Sequence, residues 1–312
     1  ETIVKAVDDV SFHIDRGETV GLAGESGCGK TTVGRCIVRA IDPTEGCIRV
    51  RDNGDRLVDI ATLDEKALRP FRKDAQMIFQ DPHSSLNPRM TILDIIGEPL
   101  VVNRIASGRE LENKVRDLME VVGLDTKHLK RYPHAFSGGQ RQRIGIARAL
   151  APDPSFIVAD ESVSALDVSV QAKILNLMRR LQKEFGLDFL FIAHDLSVVR
   201  HVSNRVMVMY LGQLVEMGKT EELFANPKHP YTELLLSAVP KMVSDGTVSR
   251  FTIHGEPPSA AKPPRGCRFH PRCSYVQSRC RNEIPELRET QPGHCARCHF
   301  ADQLSLQGTA PE

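Results

Sequence analysis

The stretch Gly24-Glu25-Ser26-Gly27-Cys28-Gly29-Lys30-Thr31 constrains this chain more than any other. It matches the pattern G-x-x-x-x-G-K-[ST], which carries meaning only between a strand and a helix. Both neighbours are present: residues 19–23 form an apolar run that reads as a strand, and residues 32–40, from Thr32 onward, read as a helix. Such a loop wraps its backbone around a polyphosphate with the N–H groups pointing inward. The helix N-terminus adds a partial positive charge, Lys30 reaches the β and γ oxygens, and the Thr31 hydroxyl can ligate Mg²⁺. A glycine-rich turn that binds nothing is the competing reading, and the Lys-Thr ending in this context argues against it.

Composition narrows the partners. Lys and Arg total 41 against 40 Asp and Glu, so no strong field points to nucleic acid or an anionic membrane surface. No apolar run reaches the ~18 residues that span a bilayer, and the chain reads as soluble and cytosolic. The 8 cysteines fall in two groups, Cys28, Cys36 and Cys47 early, then Cys267, Cys273, Cys280, Cys295 and Cys298. A reducing cytosol disfavours disulfides, so the late group calls for a metal or for plain thiols.

Along the chain, residues 4–14 alternate as a strand would, with a turn at residues 15–18. Residues 47–50 and 75–80 read as strands around a short helix at 63–69, and Pro82, Asn87 and Pro88 then break the pattern. Residues 91–102 and 109–122 carry apolar side chains at helical spacing, and a third helix follows Ser137-Gly138-Gly139-Gln140 to residue 150. The helical block therefore lies between sheet elements, at about 83–150. Strands at 155–159, 188–193, 205–210 and 213–217 alternate with helices at 168–185 and 221–225, which argues a mainly parallel α/β core. After Pro240 the texture turns Pro-rich and Cys-rich, reading as a small loop-rich appendage at 241–312 behind a main domain at 1–240.

Asp160 ends a buried strand and fits a carboxylate that holds Mg²⁺ mostly through water. Glu161 beside it can orient and deprotonate an attacking water. Gln80, after an apolar strand, can bridge metal and water, and His194, after another, can contact a γ-phosphate. Ser137-Gly138-Gly139 opens a helix with free N–H groups and a hydroxyl, a second anion site. Two phosphate sites in one chain suggest sharing, in which each chain's Ser-Gly-Gly caps the nucleotide on another chain's phosphate loop and binding becomes closure.

This set resembles an ATP-binding cassette ATPase. The phosphate loop, Gln80, the signature Phe136-Ser137-Gly138-Gly139-Gln140, Asp160-Glu161, Ser164-Ala165-Leu166-Asp167 and His194 stand in that family's order. The resemblance implies a P-loop NTPase fold with an inserted helical subdomain. It makes Glu161 the catalytic base and His194 the γ-phosphate sensor, puts Mg²⁺ on Thr31, Gln80 and Asp160, and sends Asp167 across a dimer interface. Ser162 departs from the family's usual Pro after the catalytic Glu. The adenine-stacking aromatic is unassigned, since no Tyr, Trp or Phe precedes Phe12.

A narrower likeness is carried by Arg131-Tyr132-Pro133-His134, Val168-Ser169-Val170-Gln171, Asn226-Pro227-Lys228-His229-Pro230-Tyr231-Thr232 and the Cys-rich tail. These are similar to the F-type ATPase subunit of bacterial dipeptide and oligopeptide importers. That implies a D-type paralogue, two membrane permeases, an extracytoplasmic binding protein, and a peripheral position on the cytoplasmic face of the membrane. A nickel or metallophore importer is the alternative, because the ATPase never touches cargo. Cassettes of DNA repair, chromosome maintenance or translation typically carry a long coiled coil, a zinc hook or tandem cassettes, none of which is seen in this sequence, and its balanced charge argues against nucleic acid.

In the tail, Cys267-x₅-Cys273-x₆-Cys280 followed by Cys298 offers four thiolates in a stretch too Pro-rich to fold on apolar burial. The set suits a structural [4Fe–4S] cluster, which some tails of the resembling family carry, bracing the tail against the partner ATPase and leaving Cys295 spare. Zinc with His270, His294 or His299, and free thiols, are the other readings.

Overall fold

The computed structural model describes residues 4–52, 56–81, 85–164, 166–237 and 257–309. Pro82, Ala165 and Pro240, markers in the sequence reading, lie outside them. Numbered along the chain, the strands are β1 (Thr19–Ala23), β2 (Arg49–Arg51), β3 (Leu57–Asp59), β4 (Ala75–Ile78), β5 (Phe156–Asp160), β6 (Asp188–Ala193), β7 (Arg205–Tyr210), β8 (Gln213–Lys219), β9 (Arg288–Gln291) and β10 (His294–Ala296). The α-helices are α1 (Lys30–Ile37), α2 (Glu65–Asp74), α3 (Ile92–Val102), α4 (Gly108–Val121), α5 (Gly138–Leu150), α6 (Val168–Phe185), α7 (Leu196–Val202), α8 (Thr220–Ala225), α9 (Pro230–Ser237) and α10 (Ser278–Asn282).

The chain divides into two compact units. The first, Glu1–His13 with Thr19–Val33 and Phe191–Glu312, contains the phosphate loop. Its strands run in the order β1-β7-β8-β10-β9. β1 pairs parallel with β7, Val20 opposite Arg205 and Ala23 opposite Val208. Every residue of β1 is buried, as its continuous apolar run requires of a strand covered on both faces. β7 turns back into the antiparallel β8. β10 then pairs antiparallel with β8, Cys295 opposite Met217. The appendage expected to be loop-rich thus contributes two strands, β9 and β10. β10 covers the outer edge of β8, whose N–H and C=O groups would otherwise be exposed, and β9 pairs in turn with β10. A three-residue strand leaves no readable alternation, so this pairing was not legible in the sequence.

The expected strand at residues 4–14 is irregular instead. Its alternation is real, but its backbone groups go to loops and side chains rather than to a ladder: Asp8 N–H donates to the Gly212 carbonyl at 2.8 Å, and the Arg205 guanidinium donates to the His13 carbonyl at 2.7 Å.

The second unit, Ile14–Glu18 with Gly34–Leu190, contains the helical block. β4 and β5 pair parallel, Ala75 opposite Phe156. The strand expected at 47–50 is β2, shifted to Arg49–Arg51 and paired antiparallel with β3. The helix expected at 63–69 runs on to Asp74 as α2, started by an Asp64 carboxylate that accepts from Ala67 N–H. α3, α4 and α5 pack on one another. Ile92, Ile95, Ile96 and Leu100 form the buried stripe of α3, and a Thr91–Asp94 capping box fixes its start.

Candidate functional site

The phosphate loop joins β1 to α1. Gly29 has φ +111°, and a Cβ there would stand 2.1 Å from the Ala6 carbonyl oxygen, so the motif's last glycine admits no side chain. Lys30 is buried at 4% exposure. Its ammonium donates to the Gly24 and Glu25 carbonyls at 2.7 and 3.0 Å, which satisfies a charge that burial would otherwise make costly. Cys28 is buried under the loop, and burial raises its thiol pKa. Ser26 and Gly27 are exposed at the tip, while Thr31 and Thr32 are half-buried in the first turn of α1. His194 is exposed directly after β6.

Two residues that sequence reasoning did not assign hold this loop. The Tyr231 hydroxyl of α9 accepts from Glu25 N–H at 2.8 Å. The Arg272 guanidinium grips the Glu25 carboxylate with both terminal nitrogens, at 2.7 and 2.8 Å. Tyr231 and Tyr210 pack with ring centres 4.7 Å apart, and Phe269 of the extension stands 5.3 Å from each. The Asn226–Thr232 segment containing Tyr231 was visible as a family marker, but nothing local told what it touches.

The extension also holds the N-terminal segment, Arg268 pairing with Asp8 and Arg297 with Asp9. Within it, Cys267, Cys273, Cys280 and Cys298 line one small cavity together with His270 and His299. Cys295 lies in β10. His294 is buried and bonded to Glu216 at 2.7 Å. Burial pushes the Cys273 thiol up to about 12 and the Cys298 thiol up to about 11, and the nearness of the other cysteines acts in the same direction. Among the described residues, no three His, Cys, Asp or Glu side chains are grouped so as to hold a metal ion.

In the second unit, Asp160 is 2% exposed at the end of β5. Glu161, next to it, has φ +41°, a left-handed conformation uncommon for a residue with a side chain. The Gln80 amide donates to the Glu161 carboxylate at 2.8 Å. The Ser164 hydroxyl and N–H both donate to the Glu161 carbonyl, at 3.0 and 3.2 Å, closing the turn that carries it. Ser162 is buried at 2% within that turn.

Ser137 caps α5 through a reciprocal box: its hydroxyl accepts from Gln140 N–H at 3.4 Å, and the Gln140 side chain accepts from Ser137 N–H at 3.0 Å. Two groups read as free for an anion are therefore engaged with each other. Gly139 follows where a Cβ would fall 2.5 Å from Val170, so the motif's second glycine also lets α5 approach α6. Asp167 caps α6, accepting from Val170 N–H at 3.0 Å and the Ser169 hydroxyl at 2.8 Å, and those bonds hold its pKa below the usual carboxylate range.

A braced phosphate loop in one unit, with a strand-end carboxylate pair and a capped Ser-Gly-Gly helix in the other, are the parts of a nucleotide-hydrolysing P-loop protein. A family model described as ABC transporter matches residues 7–164, and one described as oligopeptide/dipeptide transporter, C-terminal region, matches residues 215–280. The oligopeptide transport ATP-binding protein AppF of Bacillus subtilis is 53% identical over 300 residues, 95% of this chain and 90% of its own. The dipeptide transport ATP-binding protein DppF of Haemophilus influenzae is 50% identical over 299 residues, 96% of this chain and 90% of its own. The dimeric, post-hydrolysis structure of the ATP-binding cassette MJ0796 bound to ADP and Pi superposes with a TM-score of 0.61 at 31% identity, over 69% of this chain and 90% of that one. The chain belongs to the ABC transporter ATPases and is an ATP-hydrolysing subunit with that family's α/β fold. No helix among the described residues is long and apolar enough to cross a membrane.

Proposed function

We propose that this subunit powers the import of dipeptides or oligopeptides, closing on ATP as a dimer with a paralogous ATPase on the cytoplasmic face of a membrane and driving two permease subunits. The observation that carries this reading is the match of residues 215–280 to the oligopeptide/dipeptide transporter C-terminal region, joined to relatives named for peptide transport across nearly the whole chain. The dimeric state of the superposable cassette supports the pairing.

Lys30, Thr31 and the loop N–H groups of residues 24–31 other than that of Glu25 take the phosphates, with Lys30 exchanging the Gly24 and Glu25 carbonyls for phosphate oxygens. Thr31, Gln80 and Asp160 are the residues to hold Mg²⁺, which supplies charge neutralisation on the phosphates. Glu161 takes the proton of the attacking water, oriented by Gln80, and His194 contacts the γ-phosphate. Ser137, Gly138, Gly139 and Gln140 present α5 to the nucleotide of the partner ATPase, and Asp167 lies at the same interface. A paralogue with permeases should co-purify from detergent-solubilised membranes, and a strain lacking the subunit should fail to grow on di- or longer peptides. Normal peptide growth with a defect only in metal uptake would overturn the cargo reading.

We further propose that the cysteine cavity is the site of a [4Fe–4S] cluster. Cys267, Cys273, Cys280 and Cys298 line one cavity, and their four thiolates would match the four protein ligands such a cluster needs. Cys267, Cys273, Cys280 and Cys298 would hold the cluster, which when bound cross-links the extension. Anaerobically purified protein should contain about four irons per chain with absorbance near ~400 nm. Cys267→Ser should lose that iron and Cys295→Ser should keep it. One zinc and no iron in colourless protein would overturn the assignment.

A further inference from the structure

Glu25 sets a carboxylate inside a loop that must accept a polyanion. The Arg272 guanidinium, 247 residues away in sequence, meets it with two parallel charge-assisted bonds at 2.7 and 2.8 Å and also reaches the Tyr210 hydroxyl at 3.4 Å. Arg272 ends the short 3-10 turn His270–Arg272, directly before Cys273 of the cysteine cavity. Its side chain is 4% exposed and that of Glu25 is 25% exposed. This is the sheltered, bidentate geometry in which an ion pair is held firmly, and in which removing one partner leaves the other charge uncompensated. Tyr231 holds the same residue by its backbone N–H. The extension and α9 together fix Glu25 at both ends.

We propose that Arg272 is a positioning residue for the phosphate loop, masking the Glu25 carboxylate so that the C-terminal extension sets the loop's affinity for nucleotide. The inference rests on the reading that residues 24–31 hold the nucleotide phosphates. With Arg272 gone, an unpaired carboxylate faces the incoming phosphates and opposes Lys30 and the α1 N-terminus. With both gone, that repulsion is absent. A role in packing alone gives the opposite ordering, since the second loss only adds to the first.

The test measures MgADP affinity of the full chain by calorimetry, with a thermal melt beside each variant. Arg272→Gln should bind about tenfold more weakly than the unmodified chain. Glu25→Gln combined with Arg272→Gln should return to within about threefold of Glu25→Gln alone. Arg272→Lys, which keeps the charge, should bind within about threefold of the unmodified chain. If Arg272→Gln does not fold, Arg272→Met, whose unbranched chain refills the buried space, takes its place in the cycle. Unchanged affinity in the single variant, or a double variant as weak as that single, overturns the proposal. Lys30→Ala separates the two levels: if it binds MgADP normally, the phosphate-loop reading itself fails, whereas its loss of binding beside an unaffected Arg272→Gln removes only the role of Arg272.

Discussion

In the phosphate-loop unit, Glu25 is tied by its N–H to Tyr231, 206 residues away, and by its carboxylate to Arg272, 247 residues away. In the other unit, Ser137 and Gln140 bond to each other across three residues, and Asp167 bonds to Ser169 and Val170. The first arrangement is sheltered and crosses the fold; the second is exposed and local. A local cap is worth about 1 kcal/mol and can be exchanged for another partner at little cost, whereas a sheltered bidentate ion pair cannot be opened without stranding a charge. The comparison teaches that the loop is braced by distant groups, while the start of α5 is held only by its own neighbours, which on the proposed function would let it trade its cap for contacts made on closure. Glu161 stands between these extremes, held by Gln80 from 81 residues away in a strained left-handed turn.

The sharpest way to break this division is at Glu161. Glu161→Gln should lower phosphate release by the assembled complex at least about a hundredfold while MgATP binding persists, because it removes a base and keeps the shape. Near-normal turnover would place water activation elsewhere. Lys30→Ala should do the converse, weakening MgATP binding by ~2 kcal/mol, in the range of a hydrogen bond to a charged group, as titration calorimetry would show. If it instead spared binding and slowed turnover, the loop would not be the preformed half.

A third measurement uses pH. Burial pushes the His229 pKa down to about 3, and the ring nitrogen Nδ1 accepts from Tyr231 N–H at 3.0 Å, which needs the neutral form. The unfolded chain protonates this histidine near its ordinary 6.5, the folded chain only near 3, so stability is full above the first value and is lost as pH falls between them. Urea unfolding should show a loss of ~2 kcal/mol between pH 7 and pH 5 from this group alone. His229→Gln should flatten that slope; an unchanged slope would remove His229 as its source. The smallest effect belongs to the exposed caps. Ser137→Ala should cost about 1 kcal/mol of stability in the isolated chain, and a far larger cost would mean that α5 is anchored as firmly as the loop.

Much of the α/β framework was legible in the sequence. The strand at 19–23, the loop and Lys30, and the elements at 168–185, 188–193 and 205–210 coincide with β1, the phosphate loop, α6, β6 and β7. Each is specified by a pattern of neighbours: an apolar run, a glycine spacing, a helical period, a cap. The same kind of pattern misled at residues 4–14, where alternation was present but the backbone had loops rather than a strand to pair with.

What the sequence determined alone was chemistry carried by adjacent residues: a loop that can cradle phosphate, a carboxylate pair after a buried strand, a Ser-Gly-Gly helix start, and a late group of cysteines. Tertiary structure decided which distant groups complete them. The Arg272 grip on Glu25, the Tyr231 hydroxyl at the Glu25 N–H and the pairing of β10 on β8 all join residues far apart along the chain. Such contacts leave no period and no spacing to read, because what selects them is burial, which forces every sheltered charge and backbone group to find a partner wherever the folded chain supplies one.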